Sequence, residues 1–366
     1  MRFAVWLWLI GFCVAVPCRV FPTASGFERA LPGRSFSFPR DHGSHPRFQT
    51  EWWYYTGHLR SQGGKTFGYQ LTFFRRALRP GRPSGESRWA IDSVYFAHFA
   101  LTDEKAKDFM FRERISRGAL GQAGAATGRL HVWIGDWSLR AEGAAHLLEA
   151  GSPTMGIRLR LVPTKPPVVN GINGVSRKAE GEGNASYYYS MTRMNTQGDL
   201  VLNGKDMKVT GVSWMDHEFG SNQLQEYQVG WDWFSLQLEN NTELMLYLIR
   251  DRSGKPDPYS SGTLTFPDGS SHHLSLEEFD VRALETWKSR KTGARYPSGW
   301  RIRVPLWKID LTVRPTVPHQ ELDPRQSTRI PYWEGSVHVR GRYGKSPVSG
   351  VGYVELTGYA RPMNRI

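Results

Sequence analysis

The stretch Ser213-Trp214-Met215-Asp216-His217-Glu218-Phe219-Gly220 sets three ionisable side chains in a row inside an otherwise apolar, alternating pattern. Successive side chains of a strand point to opposite faces, so Trp214, Asp216 and Glu218 share one face and His217 takes the other. A carboxyl against an indole in a dry pocket has its pKa raised and keeps its proton near neutrality, as a general acid requires. The same residues also suit a structural end. Asp216 and Glu218 could pair with arginines such as Arg75 or Arg193, or turn the chain at Gly220, and structural ion pairs perturb carboxyls as well.

Aromatic residues are the second chemical resource. The chain carries 14 Trp, 15 Tyr and 18 Phe, more ring surface than a minimal β core needs. They cluster at Trp52-Trp53-Tyr54-Tyr55, at Tyr187-Tyr188-Tyr189 and at Trp231/Trp233. Neighbouring rings on a strand face opposite ways, so each cluster sends at least one ring inward. Inward rings either fill a β core or line a pocket for a long apolar ligand, where their π faces would also stabilise a cation.

Other chemistries lack residues. Asp216, His217 and Glu218 cannot converge on one ion without leaving strand geometry, and His42/His45 and His272/His273 fall in polar, loop-like stretches. His98 lies on the face of Val94 and Phe96 and reads first as a core histidine. The sequence has no G-x-S-x-G elbow, no phosphate-cradling glycine loop and no H-E-x-x-H. Neither a metal nor a cofactor is expected.

The elements that must position these residues are short alternating segments broken by Gly, Pro, Asn and Asp, which predicts an all-β chain. Phe67, Tyr69, Leu71 and Phe73 form one face of a strand that follows a turn at Gln62-Gly63-Gly64. Further strands are expected at residues 89–101, 130–141, 156–162, 187–193, 200–202, 208–214, 227–239 and 243–250. Leu276 to Lys288 reads as a helix, because Ser275 and Glu278 form a capping box at its start.

An internal repeat organises these strands. The strand, turn and strand that run from Trp53 to Arg75 are matched from Trp231-Asp232-Trp233 to Arg250, and Gly211-Val212-Ser213-Trp214-Met215-Asp216 can be laid on Gly350-Val351-Gly352-Tyr353-Val354-Glu355. Two antiparallel barrels of roughly eight strands each would use such a length and close their own edges. The boundary is placed near Asn222 to Tyr227, giving domains over 25–225 and 226–366.

The chain opens with Arg2 and an apolar run from Phe3 to Pro17, the pattern of a signal peptide over residues 1–24 and too short to span a bilayer. A secreted or periplasmic protein is therefore expected. Cys18 could accept a lipid, although Pro17 stands where a small flexible residue is wanted. Cys13 and Cys18 both lie at this leader, so no disulfide framework is foreseen. The net charge of +13 favours an anionic membrane surface or acidic partners. Nucleic acid is disfavoured, because basic residues are scattered singly along strands, as in Arg158-Leu159-Arg160 and Arg301-Ile302-Arg303.

The segments Glu51-Trp52-Trp53-Tyr54-Tyr55-Thr56-Gly57, Phe67 to Arg75, Ala97 to Asp103, Tyr187-Tyr188-Tyr189-Ser190 and Trp214 to Glu218 resemble the AttH-like family. That family is grouped with the carotenoid 1,2-hydratases, or hydroxyneurosporene synthases. The resemblance implies two lipocalin-like domains with ligand space in or between the barrels and, for some members, a neighbouring membrane transporter. The hydratases protonate a terminal isoprenoid double bond with an aspartic acid aided by His, Trp and Tyr, and water captures the tertiary cation. Asp216 matches that acid. Trp214 stands where they have Tyr, and their upstream His and Trp fall on Tyr187 and Tyr189, a departure from the pattern.

The resulting expectation is a lipocalin-like protein that adds water to a double bond of a hydrophobic isoprenoid or lipid without a cofactor. Asp216, Trp214, Tyr187 and Tyr189 would be catalytic, and Glu51, Trp53, Tyr55, His98, His217, Glu218, Trp231 and Trp233 would bind substrate. The alternative is a non-catalytic carrier that hands such a molecule to a membrane transporter.

Overall fold

The computed structural model describes residues 26–80, 91–222 and 224–363. The expected leader, with its cleavage point and Cys18, lies outside the described residues.

The chain folds into two curled antiparallel sheets. The first contains β1 (Thr50–Ser61), β2 (Thr66–Ala77), β3 (Ser93–Asp103), β4 (Asp108–Arg117), β5 (Ala123–Ala125), β6 (His131–Ile134), β7 (Trp137–Glu142), β8 (Ala145–Ser152), β9 (Met155–Pro163), β10 (Val168–Val169), β11 (Ser176–Arg177), β12 (Ala185–Leu202) and β13 (Lys205–Gly220). The second contains β14 (Gln228–Leu238), β15 (Glu243–Asp251), β16 (Ser261–Thr265), β17 (Ser271–Ser275), β18 (Asp280–Lys288), β19 (Arg295–Val304), β20 (Ile309–Pro315), β21 (Glu321–Leu322), β22 (Tyr332–Tyr343) and β23 (Ser346–Leu356).

Hydrogen bonds order the first sheet β4-β3-β2-β1-β13-β12-β9-β8-β7-β6-β5 and the second β17-β16-β15-β14-β23-β22-β20-β19-β18. Each half returns its last strand beside its first, β13 on β1 and β23 on β14. The halves therefore repeat one plan, although the described residues form 13 and 10 strands where roughly eight each were expected.

Burial explains the aromatic excess. The flanking strand β9 alternates buried and exposed positions as a one-sided strand should, whereas β15 is buried at eight successive positions and β16 throughout. The central strands are shielded from solvent on both faces because each curled sheet wraps its own core and also lays its outer face against the other sheet. Trp53, Tyr55, Phe67, Leu71 and Phe73 enter the first core. Phe234, Leu236, Trp300, Trp333 and Val354 enter the second. A third cluster, with Tyr54, Tyr188, Trp214, Trp233 and Tyr247, joins the two sheets.

At Gly68 the approach is close enough to exclude any side chain, since a Cβ there would meet Tyr353 Oη and Ser336 Cβ at 2.6 Å.

The expected helix at 276–288 does not form. Ser275 and Glu278 do make the capping box, but it holds only a 3₁₀ turn, Leu276–Glu278. The chain then enters β18, whose Val281 and Trp287 pack on the second core. Cross-strand pairing with β19 overrides the helical propensity of the Arg, Ala, Leu and Glu residues there. The strand expected at residues 130–141 is a hairpin of β6 and β7, and those at 187–193 and 200–202 are one strand, β12, with an irregularity between Met191 and Met194.

Candidate functional site

Asp216 stands on β13 directly opposite Ser190 of β12 and Tyr54 of β1, facing the second sheet. It is 3% exposed. Its Oδ1 accepts hydrogen bonds from Ser190 Oγ at 2.5 Å and Trp214 Nε1 at 2.7 Å, and its Oδ2 accepts one from Tyr188 Oη at 2.7 Å. Burial pushes the carboxyl up to about 7, against the pull of these three donors and with help from Glu218. Three good donors therefore fail to restore an ordinary carboxylate, and desolvation dominates. Trp233 Nε1 donates to Tyr188 Oη at 3.1 Å and extends the chain of donors into the second half.

Asp216 opens on a cavity of about 770 Å³ between the sheets, of a size suited to a single organic ligand. Trp52, Phe74, Phe96, Trp231, Trp233 and Ile249 give it apolar walls. Its polar groups include Asp216, Glu218, Glu355, Lys178, Arg76, Tyr188 and His98. Lys178 Nζ pairs with Glu218 Oε1 at 3.1 Å and sits 4.2 Å from the Tyr247 ring centroid. Burial alone would lower this ammonium, but Glu218 and Tyr247 keep it above its usual value. His98 bridges the halves, with Nδ1 2.7 Å from Tyr332 Oη and Nε2 2.8 Å from Ser327 Oγ. Its burial brings it down to about 4, so the ring is neutral at physiological pH.

The sequence-derived site splits along the faces of β12, β13 and β1. Asp216, Trp214, Glu218, Trp231, Trp233 and His98 meet at the interface between the sheets. Tyr187 and Tyr189 do not join them. Tyr187 Oη donates to the Leu31 carbonyl at 2.8 Å, and its ring packs on Phe48 and Phe219. Tyr189 Oη lies 2.7 Å from His42 Nδ1 and 3.0 Å from His217 Nδ1 inside the first barrel. Tyr188, between them, is the phenol on the acid. The reason is alternation: Ser190 pairs with Asp216, so on the part of β12 before the irregularity at Met191/Met194 only even-numbered residues share its face.

Glu51, Trp53, Tyr55 and His217 also turn away from the cavity. Glu51, fully buried, takes Arg75 Nε on Oε2 at 3.0 Å, while His45 Nδ1 and His217 Nε2 each lie 2.9 Å from Oε1. Burial would raise this carboxyl, but Arg75, His217 and His45 hold it well below its usual range. Trp53 stacks on His217 at 4.8 Å between centroids and donates its indole N–H to the His42 carbonyl. Tyr55 Oη lies 2.8 Å from His146 Nδ1. His42 and His45 are not in a solvated loop: they belong to a buried network that locks the segment before β1 into the first barrel.

Among the described residues, the group with metal-ligand spacing is not at Asp216 but at His45, Glu51 and His217, whose ligand atoms lie within 4.8 Å of one another. Both histidines already hydrogen-bond to Glu51, and Arg75 occupies its other oxygen. A divalent ion would have to enter beside that guanidinium, so the arrangement suits a buried ion pair better than a metal centre.

Two sheets each closing a last strand on the first, with an acid and an aromatic-lined cavity between them, define a lipocalin-like double-barrel protein. The chain belongs to the AttH-like family, whose model matches residues 29–359. A candidate AttH from Nitrosomonas europaea is 33% identical over 90% of this chain and 98% of its own, with a TM-score of 0.81. Kievitone hydratase from Nectria haematococca shares the fold at 16% identity, covering 90% of this chain and 98% of its own, with a TM-score of 0.68. CghA, solved with Sch210972, superposes over 90% of this chain and 95% of its own at 12% identity and a TM-score of 0.52. A search of curated proteins returned no match.

Proposed function

We propose that this protein is a cofactor-independent hydratase that adds water to a double bond of a hydrophobic isoprenoid or lipid substrate, with Asp216 as the general acid. The observation that carries the reading is a carboxyl 3% exposed, raised to about 7 and held by Tyr188, Ser190 and Trp214, at the wall of an aromatic cavity. Such a group is still substantially protonated at neutral pH and rigidly aimed, which is what protonating an unactivated alkene demands. The surrounding rings favour the cation that follows. Kievitone hydratase shares the fold, and its name supplies the reaction class of this reading.

The address is part of the reading: the apolar run from Phe3 to Pro17 would export the protein, and its basic surface would bring it to an anionic membrane or a transporter there. The test is incubation of the purified protein with kievitone, and separately with neurosporene, in ¹⁸O-labelled water. The expected product is a tertiary alcohol carrying the label, absent with Asp216→Asn although that variant still binds. Binding of either compound by wild type and variant alike, with no label incorporated by either, overturns hydration and leaves a carrier.

A further inference from the structure

The cavity holds a second carboxyl that matching to the hydratase pattern leaves without a role. Glu355 lies on β23, the closing strand of the second half, two residues after Tyr353, as Asp216 lies two after Trp214 on β13. β23 runs between β14 and β22 as β13 runs between β1 and β12. Val354 and Leu356 enter the second core, so Glu355 between them faces the first sheet and lines the same cavity as Asp216. Each acid accepts an indole N–H, Asp216 from Trp214 and Glu355 from Trp231 Nε1 at 2.7 Å.

Beside Glu355, a further buried carboxyl outside the cavity lining is left incompletely partnered. Glu334, the cross-strand partner of Glu355, is 1% exposed, and Tyr54 Oη donates to its Oε1 at 2.5 Å. Its Oε2 has no hydrogen-bond partner, an expensive condition for a buried carboxyl oxygen. Burial, Asp216 and Glu218 bring Glu355 up to about 7, and burial and Glu355 raise Glu334 well above its usual range. Of the cations that line the cavity, Lys178 is committed to Glu218, Arg75 to Glu51, and Arg76 donates to Thr50 Oγ1. Within a chain of net charge +13, this acid-rich, ring-walled space favours an occupant that is apolar and positively charged.

We propose that Glu355 is the second functional carboxyl of the cavity, taking the proton of the attacking water while Asp216 supplies one to the alkene, and that both together hold the hydrophobic cation in between. The role rests on the hydration reading above. The Asp216 O–H bond breaks as the alkene π pair forms a C–H bond, leaving a tertiary carbocation. A water lone pair forms the C–O bond, and the Glu355 carboxylate takes the proton released from that oxygen. Asp216 is then the carboxylate and Glu355 the acid, and a proton passing back through water restores both. The net change is alkene plus water to tertiary alcohol.

The experiment has two arms on the full chain. In the first, calorimetry compares binding of N,N-dimethyloctylamine, a stable ammonium, with that of its uncharged analogue 2-methyldecane. The ammonium is expected to bind at least about tenfold more tightly, with that margin lost in Glu355→Gln and in Asp216→Asn and kept in the exposed control Glu277→Gln. In the second arm, Glu355→Gln is expected to lower kcat for labelled-water addition by about 10²-fold or more with KM little changed, and Glu355→Asp to recover part of it. A Glu355→Gln protein that binds the ammonium and turns over like wild type overturns the proposal. Ammonium binding that depends on Glu355 in a protein converting neither alkene overturns the proton-accepting role and the hydration reading, and leaves a site for stable hydrophobic amines. Conversion by wild type with no ammonium preference overturns the cation site while hydration stands.

Discussion

At the scale of single residues, the balance at Asp216 makes two predictions. Its folded pKa of about 7 lies above the ordinary aspartate value of 3.8, so the native state binds the proton more tightly than the unfolded chain. Stability from this group is fully present below the unfolded pKa and lost as pH rises through the folded one. Between about pH 4 and about pH 7 wild type should therefore lose about 4 kcal/mol relative to Asp216→Asn, at 1.36 kcal/mol per unit. Denaturant titrations of both proteins across that range measure the difference, and parallel curves would refute a buried, protonated acid. Tyr188→Phe removes a donor to the ionised form, so the pKa rises further and the alkaline limb of the activity profile moves to higher pH. Tyr187→Phe and Tyr189→Phe should leave that limb in place, because neither phenol touches Asp216.

At the scale of elements, β13 is a strand with two occupations. Asp216 and Glu218 serve the cavity, while His217 and Phe219 face the first barrel, His217 through its bond to Glu51. The sequence showed this division, since alternation alone separates His217 from its neighbours. It did not show register, and register is what selects Tyr188 over Tyr187 and Tyr189, because pairing of Asp216 with Ser190 is a fact about two distant strands. The same limit applies to β18, whose local composition favours helix and whose pairing with β19 decides otherwise. The inner face makes its own prediction. Glu51→Gln leaves Arg75, 1% exposed, without its carboxylate, and should destabilise the protein by about 3–5 kcal/mol. Ligand affinity of the folded fraction, measured by calorimetry, should change by less than about tenfold, since Glu51 does not itself line the cavity and reaches it only through Arg75.

At the scale of the whole molecule, the repeat made two similar β units legible but not their mutual docking, and the docking creates the site. Rings assigned by sequence to barrel interiors divide between two barrel cores and an interface, and those at the interface line the cavity. Polar clamps hold it shut. Thr102 Oγ1 donates to Gln320 Oε1 at 2.8 Å, Gln237 Nε2 to the Ser213 and Thr192 carbonyls at 3.0 and 2.7 Å, and Glu243 of β15 is gripped by Arg193 Nε and Lys165 Nζ at 2.6 Å each. Arg193, one of the arginines that the sequence offered to Asp216, thus belongs to Glu243 instead. Glu243 is wholly buried, so Glu243→Gln leaves two cations from the first half facing a neutral amide of the second. Lys165 retains the Asn241 and Phe266 carbonyls and Arg193 the Leu238 carbonyl, which places the expected loss near 3 kcal/mol, the lower end for a broken buried pair. Because the halves share this interface, wild type should unfold in a single calorimetric transition. The variant should separate it into two as docking weakens before either core melts, and cavity-ligand affinity should fall with it. A variant within about 0.5 kcal/mol of wild type, the range of an ordinary surface substitution, would mean that apolar contact alone holds the sheets together.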